Sequence, residues 1–335
     1  HSAGVLDIRT NILADTDALY LTAIDKYGHE LWRWTFPVNK LNQQTEQLSP
    51  LSSRPTYTET ENDLTVKANK RTFIFSKKDG QLKGVSVDNR KINFANGPRF
   101  IGARRADRSL DQFYNHDDEK AKEKDRTYSE FPDAAVFTKL DVKEDGGNLV
   151  VTANYKLGNL DKAQWTINPS GDLALDYTYN FSGVVDLMGI RFDYPEDQVI
   201  SKRWLGAGPY RVWQNRIHGT QYDVWENDYN DPIPGETFTY PEFKGYFGDV
   251  SWMNIQTKEG TISLTNETPD AYIGVYQPRD GRDRLLYTLP ESRISVLNVI
   301  PPVRNKVNST DLCGPSSQPK WVNGPQTGRV IFRFM

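Results

Sequence analysis

From Leu64 onward the sequence repeats one pattern. Runs that alternate apolar and polar residues, "LTVKAN", "RTFIFSKKDGQLKGVSVDNRKI", "GNLVVTANYKL", "KAQWTINPSGDLALDYTYNF" and "LMGIRFDY", are separated by Asp-Gly, Asp-Asn, Gly-Gly or Pro-Ser-Gly. A period of two puts alternate side chains on opposite faces, and the intervening residues suit tight hairpin turns. The pattern predicts an all-β chain folded as a large antiparallel β-sandwich. The one helical candidate, "SLDQFYNHDDEKAKEKD", is so charged in its second half that a loop is favoured.

Ahead of these runs, residues 1–38 read as a separate β-hairpin. "LYLTAID" and "LWRWTFPV" flank the turn "KYGHE", and Trp32, Trp34 and Phe36 fall on one face. An isolated hairpin is only marginally stable, so this one is expected to pack on the rest or to belong to a larger sheet. Residues 39–57, polar and rich in Ser and Pro, read as a linker, and residues 58–335 as the sandwich domain.

At 335 residues the chain is long enough for one large β domain with a partial second. Lys and Arg number 41 against 44 Asp and Glu, so no positive field spans the molecule to hold a phosphate backbone, and nucleic acid is excluded as a partner. No apolar run approaches the length of a bilayer span, and no membrane partner is expected. Cys313 is the sole cysteine, which rules out an intrachain disulfide. Sequons stand at Asn180, Asn266 and Asn308.

Nucleophile and metal signatures are missing: there is no Gly-x-Ser-x-Gly, phosphate loop, His-Glu-x-x-His or cysteine pair, and neither a metal nor a cofactor is expected. Of four histidines only His116 and His218 could serve as acid or base. The acidic group Asp223, Glu226, Asp228, Asp231, Glu236 and Glu242 lacks the spacing of a calcium loop and reads as a solvated segment. It lies in about thirty residues after Arg216 that read as irregular, with strands resuming only at "GDVSWMNIQT".

The most distinctive stretch is "RWLGAGPYRVWQNR", Arg203 to Arg216. Trp204 and Leu205 are expected to end a core strand, Gly206 and Gly208 to take φ values closed to other residues, and Pro209 to fix the exit. Tyr210, Trp213 and Arg216 would then project from the turn, toward a saccharide or a neighbouring domain, with incidental packing as the third possibility. Tyr222, Trp225, Tyr240 and Glu242 complete the candidate set for carbohydrate or domain contact.

"RWLGAGP", the later "YDVW" and "FTYPEFKGYFGDVSWMNI" resemble the small-chain, C-terminal domain of β-galactosidases of glycoside hydrolase family 2. Trp204, Gly206, Gly208, Pro209 and Arg216 match its Trp-x-Gly-x-Gly-Pro pattern and the Arg that follows; Tyr240, Pro241 and Gly245 match its Tyr/Phe-Pro-x-x-x-Gly. The resemblance covers about Glu61 to Met335. The chain departs from the family where Asp107 and Arg108 stand for an Arg-x-Pro-x-Asp-Asn-Asp run, where Tyr210, Arg211 and Val212 follow Gly-Pro, and where Asn215 replaces an Asp. No tryptophan occurs in "SRISVLNV", near which some members place one in the active site.

The resemblance implies a galactose-mutarotase-like super-sandwich preceded by the last strands of an immunoglobulin-like domain. It also implies that the chain is a C-terminal piece, that the catalytic glutamates lie on a barrel domain that no α/β alternation here could build, and that this domain is a non-catalytic wall of the substrate cleft. The implied partners are the parent enzyme's carbohydrate substrate and its barrel and immunoglobulin-like domains, in a periplasmic or extracellular setting. Two alternatives use the same fold: a free-standing sugar epimerase, for which His116, His218 and Glu242 would be the acid/base candidates, and a carbohydrate-binding module built on the aromatics Tyr222, Trp225 and Tyr229.

Overall fold

The computed structural model describes residues 4–5, 16–38, 53–105, 128–229, 231, 233–235, 244–276, 290–302 and 314–335. The helical candidate, Cys313, Asp107, Arg108, His116, Tyr240 and Glu242 lie outside the described residues. Within them the regular structure is β throughout, apart from two short 3₁₀ turns, and the registered strand pairs are antiparallel.

Strands β1 (Ala18–Ile24) and β2 (Glu30–Pro37) form the predicted hairpin. The sandwich begins with β3 (Thr56–Glu59), β4 (Asp63–Ala68), β5 (Arg71–Ser76), β6 (Leu82–Val87), β7 (Arg90–Ile92) and β8 (Ala95–Arg105). It continues with β9 (Tyr128–Glu130), β10 (Val136–Asp145), β11 (Asn148–Lys156), β12 (Leu160–Ile167), β13 (Leu173–Val185) and β14 (Leu187–Asp193). The remaining strands are β15 (Val199–Gly208), β16 (Gln221–Asp228), β17 (Trp252–Thr257), β18 (Gly260–Asn266), β19 (Tyr272–Val275), β20 (Ile294–Val299) and β21 (Lys320–Phe334). One sheet runs β10-β11-β12-β13-β21-β18-β17-β15-β16, and the other runs β19-β20-β14-β8-β6-β5-β4-β3 with β7 on β6 and β9 on β8.

The turns are those the dipeptides predict. Asp88 and Asn89 both hold positive φ (49° and 63°), as do Gly146 and Gly147 (57° and 89°), the paired left-handed conformation that a two-residue hairpin needs to match strand twist. Alternation then sorts the side chains. Leu64, Val66 and Ala68 of β4 are buried while the residues between them are not, and β12 and β13 behave alike. Between the sheets, Phe94 stacks on Phe192 with centroids 4.9 Å apart, and Phe332, Phe334, Trp165 and Phe75 extend the cluster. Each such aromatic removes a large apolar area from water, so this layer dominates the stabilisation.

Two arginines, Arg71 buried and Arg333 partly so, close the far end of this layer. Arg71 donates from Nε to the Phe334 carbonyl (2.7 Å) and from Nη1 to the Ser170 carbonyl (2.7 Å), joining β5 to the other sheet. Arg333 grips Asp172 with two hydrogen bonds of 2.6 and 2.9 Å. Burial pushes the Asp172 carboxyl up, but the hydrogen bonds and charge of Arg333, with Asn168 and Ser170, outweigh it and hold the group below its ordinary value.

The structure corrects one expectation about the fold. The segment after Arg216 is not irregular throughout: Gln221–Asp228 forms β16, paired along its whole length with β15. Its sequence, "QYDVWEND", has only one buried residue, Asn227, because it is an edge strand, and edge strands lack the strong apolar alternation by which strands are recognised.

Candidate functional site

Strand β15 carries the stretch "RWLGAG" and ends just before Pro209. Trp204 is fully buried, donates from Nε1 to the Ala207 carbonyl (3.0 Å) and meets Phe247 edge-on with centroids 4.8 Å apart. Gly206 and Gly208 do not take positive φ, contrary to expectation; neither is among the residues in that region. They are needed for close approach. A Cβ on Gly208 would lie 2.4 Å from Cδ1 of Trp225, and one on Gly206 would lie 3.0 to 3.1 Å from the backbone of residues 248–250. The first glycine admits the neighbouring loop, and the second admits the close approach of the Trp225 indole.

Beyond Pro209 the chain folds back over the outer surface of the ten-stranded sheet. Val212 and Tyr246 exchange backbone hydrogen bonds of 2.7 and 2.8 Å, and a Cβ on Gly245 would fall 1.8 Å from the Val212 carbonyl oxygen. Trp213 does not project, as the sequence reading had it. It is 3% exposed and packs edge-on against Tyr246 in a second apolar cluster with Ile101, Leu187 and Leu297. The physical reason is that β14 and β20 present apolar residues on both faces, so their outer face needs a cover and this loop supplies it.

The remaining candidates separate into two kinds. Tyr210 is half-buried, with its hydroxyl donating to the His218 carbonyl (2.9 Å), while Arg216 and His218 are exposed. Tyr222 and Trp225 sit on β16, the hydroxyl of Tyr222 2.6 Å from Ser251 Oγ and the Trp225 indole donating to the Gln221 carbonyl (3.2 Å). Burial raises the Tyr222 pKa, so the phenol stays neutral across physiological pH. The solvent-facing part of the group is therefore Tyr210, Arg216, Tyr222 and the edge of Trp225.

Sequence reasoning missed the two cations beneath this surface. Lys202 and Arg211 are both buried and both lie over the Phe247 ring, at 5.9 and 5.6 Å from its centroid. Lys202 donates to the Asp228 carbonyl (3.1 Å) and Arg211 to the Tyr276 carbonyl (3.2 Å). Burial, and then the charge of Arg211, lowers the Lys202 pKa far below that of a free lysine; burial lowers Arg211 to about 10. Alternation along β15 was the available signal, since Lys202 shares the face of Trp204.

The hairpin docks beside the same surface. Tyr20 donates to Asp223 Oδ1 at 2.5 Å, and the Arg33 guanidinium lies over the Tyr20 ring. Register places Leu19 opposite Phe36, Leu21 opposite Trp34 and Ala23 opposite Trp32, so these six residues share the other face. That face is open: Leu21, Trp32, Trp34 and Phe36 are each more than two-fifths exposed.

A family model described as the β-galactosidase small chain matches residues 67–319. The chain belongs to this family. The matched segment contains β15, the covering loop and β16, together with most of both sheets of this small-chain domain. Among solved structures the domain is similar to galactose 1-epimerase from Lactobacillus acidophilus NCFM, at 8% identity and a TM-score of 0.46, over 84% of this chain and 99% of that one. It is also similar to a GalM/aldose epimerase homologue from C. elegans (6% identity, TM-score 0.38, 84% and 99% covered). An amine oxidase from Aspergillus nidulans matches at 7% identity and a TM-score of 0.31, over 81% of this chain and 51% of that one. No curated protein matches the chain. Among the described residues no group of three or more His, Cys, Asp or Glu is placed to hold a metal ion, and no helix is long and apolar enough to cross a membrane.

Proposed function

We propose that this small-chain domain is a non-catalytic accessory module of a family 2 glycosidase that cleaves β-glycosides in oligo- or polysaccharides. It packs beside a catalytic barrel and an immunoglobulin-like domain. The observation that supports this reading most is the family match over residues 67–319. The hairpin adds to it. Its polar face is latched to β16 through Tyr20 and Asp223, while its apolar face, with two tryptophans and a phenylalanine, is presented outward as a sheet face awaiting its second layer. In this reading Tyr210, Arg216, Tyr222 and Trp225 form the surface offered to the neighbouring domain or to its substrate, with Lys202, Arg211 and Trp204 holding it in place.

The test is hydrolysis of aryl β-glycosides by the chain alone and by the chain mixed or fused with a family 2 barrel. The expected outcome is no turnover alone and activity only with the barrel. Turnover by the chain alone that disappears on replacing one of its own carboxylates would overturn the proposal and favour a free-standing enzyme.

A further inference from the structure

At the other end of β14 and β20, away from Pro301 where the loop residue Gln214 docks, the sandwich opens into a cleft of about 690 Å³. That volume lies in the range that small-molecule sites occupy. The start of β8, the end of β14, Tyr276 after β19 and residues 290–293 before β20 build its walls. Its charges balance: Lys83, Lys91 and Arg293 face Asp193, Glu196 and Glu291.

These groups are already held in place. Asp193 accepts from Arg293 (2.7 Å), from Arg99 (2.5 Å) and from Asn96 (2.9 Å), Glu291 accepts from Arg293 (3.2 Å), and Glu196 accepts from the Tyr229 hydroxyl. An ionised carboxylate has about four acceptor positions and a guanidinium five donors, so ordered groups of this kind retain capacity for a ligand. Tyr276 lines the same cleft. Among the described residues its buried hydroxyl has no hydrogen-bond partner, and its backbone carbonyl is pinned by Arg211. Buried polar groups are nearly always hydrogen-bonded, so this hydroxyl has donor capacity to spare. Burial raises the Tyr276 pKa, so the phenol stays protonated and available as a donor at neutral pH.

A ligand that suits this lining carries many groups able both to donate and to accept, and carries no net charge. An anion would meet three carboxylates and a cation three basic groups, each a desolvation cost without full compensation. We infer that the cleft is a subsite for a neutral pyranose, with Asp193, Glu196 and Glu291 accepting from sugar hydroxyls and Tyr276 and Arg293 donating to its oxygens. The choice of a sugar among neutral polyols rests on the carbohydrate reading above; the site itself rests on the cleft.

The experiment is calorimetric titration of the full chain with methyl β-galactoside, galacturonate and galactosamine. The expected result is millimolar binding of the neutral sugar, with both charged analogues weaker. Tyr276→Phe should weaken binding about five-fold, the worth of one neutral hydrogen bond. The same variant should leave the thermal midpoint unchanged or higher, because the buried hydroxyl it removes has no partner among the described residues. Asn96→Ala, at the exposed rim, should also weaken binding. Absence of binding by the neutral sugar, tighter binding of either charged analogue, or wild-type affinity in both variants would overturn the assignment. Binding is read directly, so a negative result here leaves the accessory role standing, and hydrolysis by the chain alone leaves the cleft assignment standing.

Discussion

Replacing Gly208 by alanine tests the packing on which the surface of β15 and β16 depends. The added Cβ would lie 2.4 Å from Cδ1 and 2.5 Å from Nε1 of Trp225. Carbon atoms rest at about 3.5 to 4.0 Å, so the indole must recede by about 1 Å or more. Overpacking of this kind costs about 1 to 3 kcal/mol. The hydrogen bond from the Trp225 indole to the Gln221 carbonyl is lost with it, at about 1 kcal/mol. Trp225 belongs to an edge strand and can swing outward, which places the total near the lower half, about 2 kcal/mol. In a Trp225→Ala background the obstacle is gone, and Gly208→Ala should then cost under about 0.5 kcal/mol. The two substitutions therefore form a double-mutant cycle with a coupling of about 1.5 kcal/mol, measured by urea unfolding followed by far-ultraviolet circular dichroism. Additive costs would refute the argument, since they would mean that Gly208 serves a backbone conformation rather than the approach of one ring.

Two further outcomes follow from the ion pairs and the latch. Asp172 is held below its ordinary pKa by Arg333 and its hydrogen bonds, so its contribution to stability is present above the unfolded carboxylate value and is lost as pH falls through the folded one. Asp172→Asn should therefore be less stable than wild type at pH 7, and the difference should shrink in chemical denaturation below about pH 4. Tyr20→Phe removes the hydrogen bond to Asp223, worth about 1 kcal/mol, and should speed amide exchange across β1 and β2 roughly five-fold while leaving exchange in β13 and β21 unchanged.

Local rules made much of the fold legible. Hairpins such as Asp88–Asn89 and Gly146–Gly147 announce themselves because φ is set by the two residues in the turn. The inward faces of β4, β12 and β13 follow from a period of two. β16 escaped because an edge strand contacts the core through few residues and its composition is that of a loop. Trp213 was misplaced for a related reason. An aromatic residue after a Gly-Pro turn fits a ligand-facing loop as well as a cover over apolar strands, and the choice depends on Ile101, Leu187 and Leu297, which lie far away in sequence. Lys202 and Arg211 escaped because a lysine or arginine is ordinarily solvated, which outweighed the alternation that puts Lys202 on the face of Trp204, and only the fold sets both over the Phe247 ring. The cleft around Tyr276 draws on β8, β14 and residues 290–293 before β20, a convergence that no short motif encodes.

Strand β21 has a consequence for how the chain acquires its shape. It pairs with β13 from Leu173↔Phe332 to Val185↔Lys320 and with β18 on its other edge, so it is the central plank of the nine-stranded sheet. Before residues 320–334 leave the ribosome, β10 to β13 and β15 to β18 are two half-sheets with bare hydrogen-bonding edges facing each other. The nascent molecule thus waits with a slot open through its middle. The partners that meet there are separated by about half the chain, the kind of long-range closure that folds slowly and gives chaperones a surface to guard.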